Sequence, residues 1–157
     1  MDPHALTIAN VTRSLRETVG FQPLATLDNL RVTIPPADDE VDIDVHPNLV
    51  FDARTLLLPA RSDALVAAKA LIGWYPSVQR VSVTLEGTFT DAAGHASVQP
   101  GVSLSLSSAT VGAWSSGAVA APDASTVLCY ADSYAIAPAI WDTLSPIDRG
   151  CLSAAST

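Results

Sequence analysis

The densest concentration of chemistry-bearing side chains is acidic. Six of the 16 Asp and Glu residues fall within fifteen positions: Asp38, Asp39, Glu40, Asp42, Asp44 and Asp52. On a β-strand, where side chains alternate between faces, Asp42, Asp44 and His46 share one side. Two carboxylates and an imidazole on one face are a donor set for a divalent cation. The plainer reading is the polar side of an amphipathic strand with its loop. Carboxylates two positions apart on a strand sit roughly 7 Å from one another and stay hydrated. No Asp-x-Asp-x-Asp-Gly loop with a following Glu is present, so this is not an EF-hand. Asp42, Asp44 and His46 are thus the metal candidates, while the expectation for the chain is no bound metal.

Nucleophilic chemistry has residues but no arrangement. Gly112-Ala113-Trp114-Ser115-Ser116-Gly117 fails the Gly-x-Ser-x-Gly spacing of a nucleophile elbow and reads as loop. His46 precedes a proline at a strand end, His95 follows a turn, and His4 belongs to the terminus. A thiolate nucleophile at Cys151 would need a basic neighbour, and Arg149 two residues earlier is the one on offer. Glycine-rich phosphate loops of the Gly-x-Gly-x-x-Gly and Walker types are absent, so no nucleotide cofactor is implied. We assign no catalytic and no cofactor-binding residue from the sequence.

The two cysteines, Cys129 and Cys151, suit one disulfide. The bridge would close a loop that the chain-entropy description values at about 3 kcal/mol. The enclosed segment carries Pro138 and Pro146 and reads as loop, so it gains from a staple. A pair of reduced buried thiols is the alternative, commoner in the cytosol. Neither a Cys-x-x-Cys pair nor a zinc-type spacing occurs.

Charge limits the partners. One lysine, Lys69, and seven scattered arginines face 16 acids, for a net charge of -8. Nucleic acid and anionic membrane surfaces are disfavoured, because both are bound chiefly through Lys and Arg. No apolar run is long enough to span a bilayer. Trp74, Tyr75 and Trp114 read first as core residues. Exposed together, they would mark a contact patch, since Trp and Tyr are enriched at binding hot spots. The preference for Arg over Lys, with 25 alanines and three asparagines, suggests a high-GC bacterium.

The elements that must position these residues follow from periodicity. Asp2-Pro3 reads as a helix start, with Ile8, Val11, Leu15 and Val19 at helical spacing and Gly20 as the stop. Leu30, Val32 and Ile34, then Val41, Ile43 and Val45, alternate with polar residues as two strands joined over Pro35–Glu40. Asn48–Leu58 is ambiguous, with Leu49-Val50-Phe51 a short strand or a core-facing loop. A helix begins at Pro59 or Ser62, places Leu65, Ala68, Leu71, Ile72 and Tyr75 on one face, and ends before Pro76. Val81, Val83, Leu85 and Phe89 define a strand with an apolar and a hydroxyl-lined face. Asp91-Ala92-Ala93-Gly94 turns the chain, and Val102, Leu104 and Leu106 return it. Gly112–Ser125 reads as a further strand and a loop. Ser133–Leu144 reads as a short helix interrupted by Pro138, and the last six residues as a frayed tail.

The fold class expected is α+β: a mostly antiparallel four- to five-stranded sheet built from two hairpins flanking a central helix, with helices packed on one face. The organisation expected is a single domain over 1–157, with an N-terminal helix in 1–20, a hairpin/helix/hairpin core in 27–109 and a loop-rich C-terminal segment in 110–157. The hydroxyl-lined face is either solvated or covered by that segment.

The N-terminus lacks a basic region and a long apolar stretch, so read literally it carries no signal peptide. The cysteines and the Ser/Thr-rich strands nonetheless lean toward an extracytoplasmic setting, with a leader or anchor removed; the cytoplasm is the alternative. The function expected is non-enzymatic, acting by protein contact or self-association. Two alternatives stand beside it. One is a small metal-dependent or hydrolytic enzyme using Asp42, Asp44 and His46. The other is a small-ligand carrier with its pocket between the hydroxyl-lined face and the tail.

Overall fold

A computed structural model describes residues 2, 4–18, 30–37, 39–46, 53–122 and 126–152, with the backbone alone for 53–63 and 148. The first helix, α1 (Ile8–Glu17), starts later than Asp2-Pro3 suggests. Thr7 is its cap, its hydroxyl accepting from the Asn10 N–H. Asp2 instead holds a preceding turn, accepting from the His4 N–H at 2.8 Å. The buried Asn10 amide ties the two together, donating to the carbonyls of Asp2 and Ala5. Val11 and Leu15 are fully buried, while Ile8 is exposed. Val19 and Gly20 lie outside the described residues.

The sheet has five strands in sequential order: β1 (Leu30–Thr33), β2 (Glu40–Val45), β3 (Arg80–Thr90), β4 (Ala96–Ser107) and β5 (Ser133–Ile136). β1 pairs antiparallel with β2, β3 with β4, and β4 with β5. The β2/β3 pair is parallel, Val41 facing Val81 and Ile43 facing Val83, so the sheet is mixed. A parallel neighbour needs a crossover, and α2 (Ala53–Trp74) supplies it. This helix begins upstream of Pro59 and Ser62. Leu49-Val50-Phe51 lies outside the described residues. At its far end the Tyr75 N–H still donates to the Leu71 carbonyl, after which Pro76 ends the helix.

Alternation sorts the strands into two faces. Val41, Ile43, Val45, Val81, Val83, Leu85, Val102, Leu104 and Leu106 are all 2% exposed or less. They meet Leu65, Ala68, Leu71 and Tyr75 of α2 and its exit, and Val11 and Leu15 of α1, in one core cluster. Burying that many branched aliphatics, at about 1.5–3 kcal/mol each, is the main force holding the helix layer on the sheet.

The C-terminal third departs most from expectation. Gly112–Ser125 was expected to start as a strand; a helix, α3 (Ser108–Ser115), occupies its beginning. Ser107 caps it, and Asp132 fastens the cap, accepting from the Ser107 N–H and hydroxyl and from the Thr110 hydroxyl at 2.7–3.1 Å. Val111 and Trp114, three apart on one side, are buried by it. Pro138 does not interrupt a helix. It stands at the first position of α5 (Pro138–Trp141), where its missing N–H costs nothing, and β5 precedes it. Two further short helices, α4 (Val127–Tyr130) and α6 (Pro146–Arg149), complete the segment. Cys129 and Cys151 form a disulfide with Cα atoms 5.9 Å apart, closing a loop that holds β5, α5 and α6. Leu152 is buried rather than frayed, and residues 153–157 lie outside the described residues.

Val111, Trp114, Val127, Leu128, Ile140, Leu144 and Leu152 join the same core cluster as α2. The C-terminal segment therefore packs on the helix side. Among the described residues it leaves the hydroxyl-lined face of the sheet open, with Ser82, Thr84, Ser103 and Ser105 half-buried.

Candidate functional site

The register lays out the open face row by row. Arg31, Asp44, Thr84, Ser103 and Ala135 stand side by side across the five strands. The next row is Thr33, Asp42, Ser82, Ser105 and Ser133. Beyond it Glu40 faces Arg80, which faces Ser107. Hydroxyls bridge the strands: Ser82 and Ser105 hydrogen-bond at 2.7 Å, and the Ser82 hydroxyl donates to Glu40 at 3.3 Å.

The three metal candidates are placed here, with different commitments. Arg31 Nη2 lies 3.0 Å from Asp44 Oδ2 and 3.3 Å from Glu86 Oε1, so the guanidinium bridges β2 and β3. The hydrogen bond and charge of Asp44, then the charge of Glu86, raise the Arg31 pKa above its ordinary value. His46, just past β2, points Nδ1 toward Glu86 Oε2 at 4.0 Å, and that nitrogen makes no hydrogen bond. Among the described residues Asp42, like Glu40 beside it, has no ion pair. Desolvation by burial is the first cause lifting its pKa above the usual range, followed by the charges of Glu40 and Asp44. Among the described residues no group of three or more His, Cys, Asp and Glu side chains comes together as a metal site. Asp38 and Asp52 lie outside the described residues.

The other candidates are scattered. Ser115 and Ser116 donate to the carbonyls of Val111 and Ala113 at the end of α3. Cys151 is bridged to Cys129, which overturns the thiolate reading. Arg149 instead lies over the Trp141 ring, 4.6 Å from its centre, and donates to the Trp141 carbonyl. His95 is exposed at the β3–β4 turn, 3.4 Å from Asp91. Asp91 shapes that turn by accepting the N–H groups of Ala93 and His95, and Gly94 takes the φ of +85° the turn requires. The three aromatic residues do not form one exposed patch: Tyr75 and Trp114 are buried, whereas Trp74 is 50% exposed.

Two features have no counterpart in the periodicity. The first is an overhang. β2 pairs with β3 only as far as Leu85, and β5 with β4 only from Val102. Past those points β3 and β4 continue as a two-stranded ribbon, Glu86 opposite Pro100 and Thr90 opposite Ala96. Gly101 is skipped between the pairs Leu85–Val102 and Glu86–Pro100, a bulge that re-aims the alternation. Pro100, Val98 and Ala96 consequently stand beside Glu86, Thr88 and Thr90 on the open side. Residues 91–100 are all exposed, Val98 at 53%. The second is a cleft of about 280 Å³ between α1 and the end of α2, lined by His4, Arg13, Ser14, Glu17, Trp74 and Tyr75. The Ser14 and Tyr75 hydroxyls meet at its base, 3.2 Å apart. No single-strand or single-helix pattern can show either feature, because each depends on where a neighbour stops or lands.

Comparison with protein-family models, with curated proteins and with solved structures finds no match to this chain.

Proposed function

We propose that this chain is a non-enzymatic domain of the extracytoplasmic space, acting by contact with another protein or with a second copy of itself. The contact surface is the open sheet face together with the overhanging ribbon. The overhang is the observation that carries this reading. Among the described residues, Glu86–Thr90 and Ala96–Pro100 pair only with each other. Their outer edges keep backbone donors and acceptors free to take a further strand, except at Pro100, which has no N–H. Val98 and Thr88 add exposed side chains beside those edges. The adjoining face carries Glu40, Asp42, Asp44 and Glu86 against Arg31 and Arg80, so a basic partner surface is the complementary one. The Cys129–Cys151 disulfide supports an oxidising compartment.

The enzymatic alternative on Asp42, Asp44 and His46 is less favoured, because Asp44 is engaged by Arg31 and His46 faces Glu86. A carrier pocket between the hydroxyl-lined face and the tail is less favoured too, because the C-terminal segment packs on the opposite side.

A photo-cross-linking amino acid placed at Val98, in the full chain expressed in its source cell, tests the reading. The expected result is one discrete adduct, a homodimer or a complex with a second protein, absent when the probe replaces the exposed Lys69 on α2. No adduct from Val98 or Thr88 would overturn it.

A further inference from the structure

We infer that the cleft between α1 and the end of α2 is a binding site for a single neutral sugar ring. This goes beyond the contact reading and uses a different surface. Trp74 carries the argument. Tyr75 beside it is drawn into the core, whereas Trp74 stays 50% exposed and lines a concavity. An exposed indole face in a cleft stacks well against C–H groups or a cation.

The other walls choose between those occupants. Arg13 and His4 offer donors, Glu17 offers acceptors, and the Ser14 and Tyr75 hydroxyls do both. Arg13 is held by one hydrogen bond, to Asn10 at 2.8 Å, leaving most of its fork free. A cation stacked on Trp74 would be attracted by Glu17 but repelled by Arg13. An anion would meet the reverse. A neutral ring rich in hydroxyls has no such conflict, because each hydroxyl can donate to Glu17 or accept from Arg13 while the ring's C–H face lies on the indole. Size agrees: about 280 Å³ lies at the foot of the roughly 300–1,000 Å³ range of drug-sized pockets. That is room for one ring and not for a buried chain.

The test is an NMR titration of the intact, disulfide-bonded chain with the methyl glycosides of glucose, galactose, mannose and N-acetylglucosamine. Acetate and tetramethylammonium are run as charged controls. With at least one glycoside, the Trp74 indole and the Arg13–Glu17 amides are expected to shift saturably, while the indoles of Trp114 and Trp141 hold still. Glu17→Ala is expected to weaken that binding by about tenfold, and Trp74→Ala to abolish the amide shifts. Trp74 is half exposed, so its truncation leaves the core cluster intact; should that variant fail to fold, the wild-type titration decides alone. Three results would overturn the inference: no saturable shift with any glycoside, saturation by a charged control instead, or amide shifts that survive Trp74→Ala.

Discussion

β3 and β4 are one pair of strands living in two environments. In their first halves, between Arg80 and Leu85 and between Val102 and Ser107, they have β2 and β5 at their sides and α2 across one face. There Val83 and Leu104 are 1% and 2% exposed. In their second halves the same strands have lost β2 and β5, and Val98 is 53% exposed, while Gly87 stays buried and Phe89 still packs against the core. Composition falls off as well, from Val102, Leu104 and Leu106 to Val98 as the one branched aliphatic in 96–100. The neighbouring strands stop at the same place. Burial belongs to the neighbours, so the portion that outruns them is the portion free to meet something else.

The contrast can be broken most forcefully by truncating equivalent side chains in the two halves. Leu104→Ala should cost about 2–5 kcal/mol of unfolding free energy, the range for a buried leucine. Val98→Ala should cost under about 0.5 kcal/mol, as for an ordinary surface change. Urea denaturation reads both, and comparable losses would show that the ribbon is as tightly packed as the body. Next in size is the disulfide. Reduction, or Cys129→Ser with Cys151→Ser, should lower stability by about 2–4 kcal/mol. The loss should fall on the segment carrying β5 and α5, with the ribbon unaffected; an unchanged urea midpoint would mean the bridge staples nothing.

The smallest effect concerns the body's open face. Burial raises the Asp42 pKa, with Glu40 and Asp44 adding to it. Between the ordinary carboxylate value and the raised one, the folded state therefore holds a proton that the unfolded chain has already released, and ionising Asp42 works against the fold. Stability from this group falls as pH rises through the window between the ordinary carboxylate value and the raised one. Asp42→Asn should then stabilise at neutral pH by a few tenths of a kcal/mol, because most of the carboxylate remains in water. The gain should vanish in acid below the ordinary carboxylate range. Thermal melts across pH check it, and destabilisation by Asn at neutral pH would reverse the sign of the account.

Much of the sheet was legible because its strands repeat a period of two without interruption: Val81-Ser82-Val83-Thr84-Leu85 and Val102-Ser103-Leu104-Ser105-Leu106 announce both a buried and a hydroxyl-lined face. The parallel β2/β3 pair was not legible, since alternation is blind to direction. The first helix was misplaced because Asp2 and Thr7 are both good caps; the Thr7 hydroxyl takes the Asn10 N–H, and the Asn10 side chain ties back to the Asp2 carbonyl. α3 was missed because Gly, Ala and Ser carry little periodicity, and its stabilising partner, Asp132, lies 22 residues beyond Thr110. Of the candidate site, Asp42 and Asp44 were placed on a common face by alternation alone. Their partners Arg31 and Glu86 come from other strands, and need the register to be seen. Trp74 and Tyr75, adjacent in sequence, were read as a pair, but the helix ends between them and sends one outward and one into the core.

The division of β3 and β4 into a packed body and a free arm is tested most directly by amide hydrogen exchange on the isolated chain, resolved along the two strands. Amides of 102–106 should exchange only with a free energy close to that of global unfolding, and those of 96–99 far more readily, by local opening. Equal protection along both halves would contradict the account, because the arm would then be part of the core and not available for contact.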